Sequence, residues 1–496
     1  MLFLRKVLFY IFLLLYVVIC PLAILYAFGF ILTPGQEESV VKTGLIYVSS
    51  APSGAAIYLD AKDTTQKTPA TLQQILPGKH TVLLTMKDYK PWVYSADVKA
   101  NEPTVVDNIL LIPYQWPISP LTDDAFSDLI PIPGNPYFLL KKGDFLKDYS
   151  VYNWKNGTLQ PLIEEDSLYQ GAKVLSYTTV ENSSPILFRL KTKGAKPLFL
   201  LIDPSADKAV IEDITSLLSA DPGRITWDPK DATQLFTLKG GNCNLVDVKN
   251  MAVYPKYLQG IRGLGLYQKQ IYILKDDNRL FRMNFDKGGK EELLDDPDLG
   301  SSIFGDKGKL LILPMTKRII MFITEDGELL SNHLPYVFVR EGVLGTEFYP
   351  DDEYLLIWAK DRIGSLDFSV EEAEDVTFEK GPRLMWRYTG GKNINQCFWA
   401  YDGSSILFKD NEGVSLLERK AFKKSYLTQI VKVKPHSSAY YSEDSGALYY
   451  LDPSSGGRLY SVQILPQGRA LIVTEQKDKK DPEEKQEKQE KQVKRK

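Results

Sequence analysis

The chain has 496 residues, of which 44% are hydrophobic and 25% are charged, and its 60 Lys and Arg against 63 Asp and Glu give a formal net charge of −3. This composition is typical of a globular protein of roughly two to four domains, and the near-neutral balance argues against a dedicated nucleic-acid-binding protein. Three cysteines and three histidines leave little material for a disulfide scaffold or a zinc site.

The N-terminal region contains one long apolar segment. Residues 7–32 carry no formal charge, and Pro21 and Gly29 are the exceptions among their apolar side chains. A helix of that length exceeds the hydrocarbon core of a bilayer, about 30 Å thick, and it is too long for a cleavable signal peptide. Basic residues precede the segment, so the positive-inside rule places the N-terminus in the cytoplasm and the bulk of the chain outside. Residues 1–33 are therefore predicted to be a cytoplasmic flank and a single-pass transmembrane anchor.

Residues 44–113 show the sequence pattern of short β-strands. Their β-branched and aromatic runs are separated by turn residues such as Pro52-Ser53-Gly54 and Pro77-Gly78-Lys79, which predicts a small antiparallel β-sandwich. The predicted strands contain residues 45–48, 56–59, 80–84 and 105–109.

The order of motifs in this region resembles the PEGA domain family. The tetrad that names the family is present as Pro52-Ser53-Gly54-Ala55, with Ser in place of Glu, and Thr68-Pro69 follows it. Two glycines of the family pattern are replaced, one by Ala61 and one by Asp88. The resemblance implies a non-enzymatic β-domain of the kind common on bacterial and archaeal surface and envelope proteins.

Residues 118–475 contain a recurring pattern, in which a polar turn rich in Asp, Gly and Asn precedes four to six apolar residues. The clearest copies are residues 349–358 and 401–408. The mean spacing of the turns is about 44 residues, which is the length of one four-stranded propeller blade. The turns are centred on Asn135, Asn182, Asp231, Gln268, Asp306, Asp351, Asp402 and Asp444.

This spacing predicts a β-propeller with seven or eight blades, of which eight is favoured, and the apolar run after each turn is predicted to be the strand nearest the channel. The pattern resembles WD-like and Tol-system propellers, in which a Pro-Asp-Gly turn precedes an apolar strand. Tyr349-Pro350-Asp351-Asp352 and Tyr401-Asp402-Gly403 match that turn most closely. A pair of β-sandwiches or a β-solenoid is the alternative, and a propeller fold would not itself fix a function.

The sequence contains no signature of a catalytic triad, a nucleotide-binding loop or a metal site. His80, His333 and His436 lie at a strand end or in loops, so they are interpreted as structural. The acidic pairs Asp276-Asp277 and Asp351-Asp352 contain the residue types of calcium sites and glycosidases. Asp in a turn also hydrogen-bonds the local backbone, and that role explains the pairs. No catalytic, cofactor-binding or metal-ligating residue is predicted, and the ligand-binding residues stay undefined.

Three further features of the sequence bear on its organisation. Residues 476–496 contain nine Lys and Arg and six Asp and Glu; a segment with so little to bury is predicted to be a disordered charged tail. The central part, residues 34–475, is mildly acidic, with 49 Lys and Arg against 57 Asp and Glu. The sequence does not decide whether Cys243 and Cys397 form a disulfide, which is chemically feasible outside the cytoplasm.

These features together predict a mainly β, membrane-anchored envelope protein whose PEGA-like domain and propeller lie outside the cell membrane. The predicted function is a non-enzymatic binding or assembly platform for an envelope protein or a cell-wall glycan, without a cofactor and without nucleic acid. One alternative is a polysaccharide hydrolase or lyase with carboxylates at the propeller centre. Another is a structural spacer without a ligand.

Overall fold

The computed structural model of the chain is mainly β, and the tail predicted at 476–496 lies outside the residues that it describes. The described residues are 2–27, 29–32, 40–180, 182–192, 196–206, 208–228, 231–267, 270–284, 292–294, 310–314, 320–331, 336–349, 354–368, 383–419 and 427–466.

The chain begins with helix α1 (Leu2–Ala27). Gly29 follows it with a φ of 79° and donates its backbone N–H to the carbonyl oxygen of Tyr26 at 3.0 Å, and this left-handed conformation ends the helix. The last apolar residues form β1 (Phe30–Leu32), which pairs antiparallel with β2 (Val40–Lys42). The prediction of an uninterrupted helical span is therefore wrong at its C-terminal end. Among the described residues, no helix combines the length and the apolarity that a membrane crossing requires, so the predicted transmembrane anchor is not confirmed.

The small domain that follows consists of two sheets packed on each other. Its strands are β3 (Gly44–Ala51), β4 (Ala56–Leu59), β5 (Lys62–Lys67), β6 (Ala70–Ile75), β7 (Gly78–Thr85), β8 (Trp92–Val98) and β9 (Pro103–Leu110). One sheet has the order β6-β3-β9, and the other has the order β5-β4-β7-β8. Alternate residues point between the sheets, and Ile46, Ile57 and Leu84 are among the side chains of this core.

The predicted strands of the small domain are present, and β5, β6 and β8 are additional. The sandwich is not purely antiparallel as predicted, because β3 and β9 pair in parallel with Ile46 opposite Thr104. Between β3 and β9 the chain crosses the whole second sheet, and such a crossover connection allows the two strands to run in the same direction.

Seven sheets follow in the described part of the chain: six have four antiparallel strands each, and one has eight strands, in which two four-stranded antiparallel halves are joined by the parallel pairing of their first strands. Counting each half as one blade gives eight four-stranded blades, named blades 1 to 8 below. Strand β10 (Ile118–Ala125) comes first and belongs to blade 8. Blades 1 to 3 contain β11 (Asp128–Pro131), β12 (Tyr137–Lys141), β13 (Tyr149–Asn153) and β14 (Thr158–Pro161), then β15 (Lys173–Thr178), β16 (Ile186–Lys191), β17 (Leu198–Asp203) and β18 (Val210–Asp213), then β19 (Arg224–Asp228), β20 (Asp231–Lys239), β21 (Asn242–Asp247) and β22 (Ala252–Gln259). Short 3₁₀ helices lie at Leu146–Asp148 and Thr215–Leu217.

The remaining blades continue in the same manner. Blades 4 and 5 contain β23 (Ile261–Tyr267), β24 (Gln270–Lys275), β25 (Leu280–Asn284) and β26 (Glu292–Leu293), then β27 (Leu310–Pro314), β28 (Ile320–Thr324), β29 (Leu329–Ser331) and β30 (Val337–Val339). Blades 6 to 8 contain β31 (Gly345–Phe348), β32 (Tyr354–Trp358), β33 (Arg362–Asp367) and β34 (Arg383–Thr389), then β35 (Gln396–Ala400), β36 (Ser405–Asp410), β37 (Gly413–Glu418) and β38 (Leu427–Val431), then β39 (Tyr440–Ser442), β40 (Ala447–Asp452) and β41 (Arg458–Gln463).

The two ends of this region meet in one sheet. Strand β10 pairs antiparallel with β41, with Ile118 opposite Val462, so the first strand of the region completes the last blade and closes the ring. The first strands of neighbouring blades lie closest to each other, since β23 pairs with β27 and β31 contacts β35. This proximity places the first strands around the ring axis. The eight four-stranded blades agree with the favoured prediction of eight.

In seven of the eight blades, the apolar run forms a different strand from the one predicted. In the described blades, seven of the eight predicted turns precede the second strand, and the turn at Asp306 precedes the first strand β27 instead. A second strand is paired along both edges and covered on both faces, and a strand in such an environment is apolar throughout. All six residues of Ser405–Asp410 are buried, for example. The prediction that the apolar runs line the channel is therefore wrong.

Candidate functional site at the ring closure

The small domain packs directly on blades 7 and 8. Ala51 and Leu110, at the ends of β3 and β9, belong to one buried apolar cluster with side chains of these blades, among them Leu416 and Leu448. Trp116, in the connector before β10, packs against the same cluster. The connector is thus part of the interface, and the small domain and the propeller lie in one compact unit.

A polar contact also crosses this interface. Nε1 of Trp92, the first residue of β8, donates a hydrogen bond to Oε1 of Glu418, the last residue of β37, at 3.0 Å. The ring of Tyr94 stacks on the indole with 5.6 Å between the ring centroids. Burial raises the pKa of Glu418, and the indole hydrogen bond offsets part of that rise. Desolvation of a carboxylate beside a neutral partner is unfavourable, so this contact depends on the protonation state of Glu418.

Polar side chains join blades 7, 8 and 1 where the ring closes. Gln396 is the first residue of β35, and its side-chain amide makes two hydrogen bonds to the backbone of Ala439. It accepts one from the N–H of Ala439 at 2.9 Å and donates one to the carbonyl oxygen of Ala439 at 3.3 Å. On the other side, Oδ1 of Asp128, the first residue of β11, accepts the backbone N–H of Ser438 at 3.2 Å. The segment that leads into β39 is therefore held by both neighbouring blades.

Charged groups surround this segment, and we call Asp128, Lys141, Asn395 and Lys409 the inner cluster. Lys409 is 5% exposed, and its Nζ donates to Oδ1 of Asn395 at 3.4 Å. Burial lowers the pKa of Lys409. Burial also raises the pKa of Asp128, against the opposing effects of its backbone hydrogen bonds and of the positive charges of Lys141 and Lys409. The inner cluster thus presents partly desolvated groups of both charge signs, which can recognise a polar group by hydrogen bonding.

The turns before the second strands connect the same blades. The carboxylate of Glu443 accepts the hydroxyl of Tyr441 at 2.6 Å and the backbone N–H groups of Tyr401 and Asp402 at 3.0 Å each. Blades 7 and 8 are therefore linked through one carboxylate. Across the closure, the hydroxyl of Tyr440 donates to the carbonyl oxygen of Asn135 in blade 1 at 2.6 Å.

The histidines in the described residues have structural surroundings. Nδ1 of His80 lies 2.7 Å from Oδ2 of Asp60, and its Nε2 lies 2.7 Å from the carbonyl oxygen of Leu76. These contacts fix the turn between β4 and β5 against β7. His436 is exposed in a loop, with a φ of 63°. His333 lies outside the described residues.

The acidic residues that were singled out from the sequence take turn positions where the structure describes them. Oδ1 of Asp277 accepts the backbone N–H of Arg279 at 3.1 Å, and its other oxygen faces the same guanidinium. Asp402 occupies the turn before β36, with a φ of 49°. Asp351-Asp352 lies outside the described residues. Within the described ranges, no group of three His, Cys, Asp or Glu residues is arranged to hold a metal ion.

The thiols are unpaired. Cys243 and Cys397 are both free and buried, and burial raises the pKa of Cys243 to about 12. The disulfide between them that the sequence did not decide is therefore not formed.

Sequence reasoning did not identify the residues of the closure. Lys409 had a usable signal, because a charged residue ends the apolar run of β36 and a buried charge usually has a specific environment. Asp128, Gln396 and Glu418 had none, since their partners are backbone groups or an indole far away in the chain.

Residues 43–110 match the PEGA domain family model, which confirms the resemblance seen in the motifs. No curated protein sequence matches the chain. Among solved structures, the chain is similar to the β-propeller domain of Cps50 (Swd1) from Myceliophteria thermophila, with 11% identity, 59% of this chain and 99% of that chain covered, and a TM-score of 0.35.

Two other similar structures cover comparable parts of the chain. Hsv2 from Kluyveromyces lactis is 9% identical, with 61% of this chain and 98% of that chain covered and a TM-score of 0.37. PorZ, an essential surface component of the type-IX secretion system of Porphyromonas gingivalis, is 13% identical, with 68% of this chain and 42% of that chain covered and a TM-score of 0.35. The propeller assignment itself rests on the eight four-stranded blades and on the closure of the ring by β10 and β41.

Proposed function

We propose that the chain is an extracytoplasmic binding or assembly platform, in which a PEGA domain fixed to a β-propeller presents one rigid surface to a partner. The observation that carries the proposal is the apolar cluster that Ala51 and Leu110 share with blades 7 and 8. A flexibly tethered spacer domain would share no buried side chains with the propeller. The shared apolar cluster holds the two domains in a fixed relation, which a binding surface built from both of them requires.

The partner in this proposal is an envelope protein or a cell-wall glycan. The inner cluster supports this assignment because Asp128 and Lys409 offer an acceptor and a donor in partly desolvated positions. The location outside the cytoplasm is supported by the PEGA match, since such domains occur on surface and envelope proteins. Membrane attachment rests on the uncharged residues 7–32 alone.

Capture experiments with the full chain test the platform. A tagged full-length protein is extracted from envelopes in detergent, and the bound material is quantified by mass spectrometry and by sugar analysis. We expect one stoichiometric protein, or one purified wall polymer, to co-purify with the parent. Trp92→Ala should reduce its recovery because it removes a contact that fixes the two domains. Val93→Ala is the matched control, since Val93 is adjacent in β8 and 47% exposed. Equal recovery with both variants, or no specific recovery with the parent, contradicts the proposal.

Protease treatment of intact cells tests the location. We expect externally added protease to cleave the propeller, after disruption of any outer layer, while a cytoplasmic marker protein stays intact. Recovery of the uncleaved chain with that marker contradicts the proposed location.

The proposal includes no catalytic step. The hydrolase or lyase alternative requires carboxylates that work as a pair, whereas the inner cluster surrounds Asp128 with Lys141 and Lys409. Incubation of the protein with purified envelope polysaccharide tests this point. Release of new chain ends that Asp128→Asn abolishes would favour the enzyme.

A further inference from the structure

Arg419, directly after strand β37 of blade 7, lies over two aromatic rings. Its Cζ is 4.2 Å from the ring centroid of Tyr354 in blade 6 and 5.9 Å from that of Trp399 in blade 7. Tyr349 packs edge-on against both rings, at centroid distances of 6.4 and 5.9 Å. Nε1 of Trp399 donates to the carbonyl oxygen of Glu347 at 3.1 Å. The aromatic rings beneath the guanidinium are therefore held in place by their own contacts.

The guanidinium of Arg419 has no anionic partner among the described residues. Its Nε is buried and makes no hydrogen bond. A guanidinium carries five N–H donors, and a buried donor without a hydrogen bond is energetically costly. Its side chain is half-buried, so the other donors are accessible to a ligand from solvent. The Nε atoms of Arg189 and Arg362 are also buried without a hydrogen bond, but Arg362 lies beside Asp361, and Arg279 and Arg282 form ion pairs with Asp277 and Glu292.

A second guanidinium lies close enough to the first for their positive charges to repel each other. Burial lowers the pKa of Arg387 in β34, and the positive charge of Arg419 lowers it further, while Asp367 acts in the opposite direction. Nε of Arg387 donates to the hydroxyl of Ser365 at 3.1 Å, which orients the side chain. Two like charges that are held together without a counterion at Arg419 create a local positive potential in a mildly acidic protein.

We propose that Arg419, supported by Arg387, binds an oxyanion, a carboxylate or a phosphate group, where blades 6 and 7 meet. Guanidinium groups bind both kinds of oxyanion through charge-assisted hydrogen bonds, and such a ligand would satisfy the donors of Arg419 and offset its repulsion with Arg387. The rings of Tyr354 and Trp399 position the cation and exclude water from its lower face. The site is independent of the proposed platform role, because it includes no residue of the PEGA interface or of the inner cluster.

Thermal-shift titration of the full chain tests the site, with sodium phosphate and sodium acetate each compared with sodium chloride at equal ionic strength. Phosphate stabilises folded proteins in general, so the decisive quantity is the difference between variants. Arg419→Gln should weaken the binding of the anion by about tenfold or more, as expected for the loss of one charge-assisted contact. Arg419→Lys, which keeps the charge without the fork, should give an intermediate affinity.

Arg362→Gln is the matched control, since Arg362 also lies over an indole, at 4.7 Å from the ring centroid of Trp386, but has Asp361 at 3.7 Å. It should retain the affinity of the parent. A response to phosphate alone identifies a phosphate-type ligand, and a response to acetate identifies a carboxylate. The proposal is overturned if the parent shows no anion-specific shift, or if Arg419→Gln and the parent respond equally. The parent measurement needs no variant, so a variant that fails to fold leaves the test intact.

Discussion

The PEGA domain and the propeller are both built from short β-strands, but different positions specify them. In the PEGA domain, the turns carry the recognisable residues, and Asp60, Ala61 and Asp88 all adopt positive φ angles. In the propeller, the turns vary, and the constant feature is a second strand buried on both faces, such as Tyr137–Lys141. A domain specified by its turns is recognised by the order of its motifs, whereas one specified by strand burial is recognised by its repeat length.

The largest expected effect tests the dependence of the propeller on its second strands. The ring of Phe138 in β12 is fully buried, and its centroid is 5.4 Å from those of Tyr152, Tyr440 and Tyr449, which join blade 1 to blade 8. Phe138→Ala should lower the free energy of unfolding by about 3–5 kcal/mol in denaturant titration. Phe145→Ala is the control, because Phe145 is 43% exposed. Similar losses for both variants would show that strand burial does not control the stability of the ring.

A smaller effect is expected where the two regions meet. Trp92→Ala removes a half-buried indole and its hydrogen bond to Glu418, and it should cost about 2 kcal/mol. Because the connector packs in the same interface, limited proteolysis should cut residues 111–117 faster in the variant. Unchanged cleavage would mean that the apolar cluster alone holds the domains together.

The comparison also explains what the sequence could predict. Strand β3 alternates buried and exposed side chains and was predicted, whereas β5 (Lys62–Lys67) is polar and exposed along its length, so it has no hydrophobic period to detect. The repeat length of the propeller predicted the number of blades. It did not show which strand of a blade lies at the axis, because the most apolar strand is the best-covered one rather than the innermost.

The interface was beyond sequence reasoning for a physical reason. Trp92 and Glu418 are 326 residues apart, and neither belongs to a motif. An exposed indole and a strand-end glutamate are ordinary surface residues until the fold brings them together. The same holds for Arg419, whose partners Tyr354 and Trp399 come from different blades.

Glycine substitutions in the PEGA domain sharpen the role of its turns. Ala61 and Asp88 stand where the family pattern has glycine, and their φ angles are 64° and 68°. A left-handed conformation costs roughly 1 kcal/mol in a residue with a Cβ, so Ala61→Gly should raise the free energy of unfolding by about that amount. Asp88→Gly should raise it less, because Asp tolerates this region better. Ala100→Gly, in a turn where φ is not positive, should slightly destabilise the domain; stabilisation by all three would refute the explanation.

The smallest expected effect is a pH dependence at the contact between the two regions. Because burial raises the pKa of Glu418 above its ordinary value of 4.5, the folded state binds the proton more tightly than the unfolded state. The stability that this group contributes is therefore fully present below about pH 4.5 and is lost as the pH rises through the raised pKa. Glu418→Gln keeps an acceptor for Trp92 but cannot ionise, so the difference in melting temperature between variant and parent should grow in favour of the variant over that range and then stay constant. A difference that does not change with pH would show that the carboxyl group of Glu418 is solvated in the folded protein, and that the contact between the PEGA domain and blade 7 does not respond to protonation.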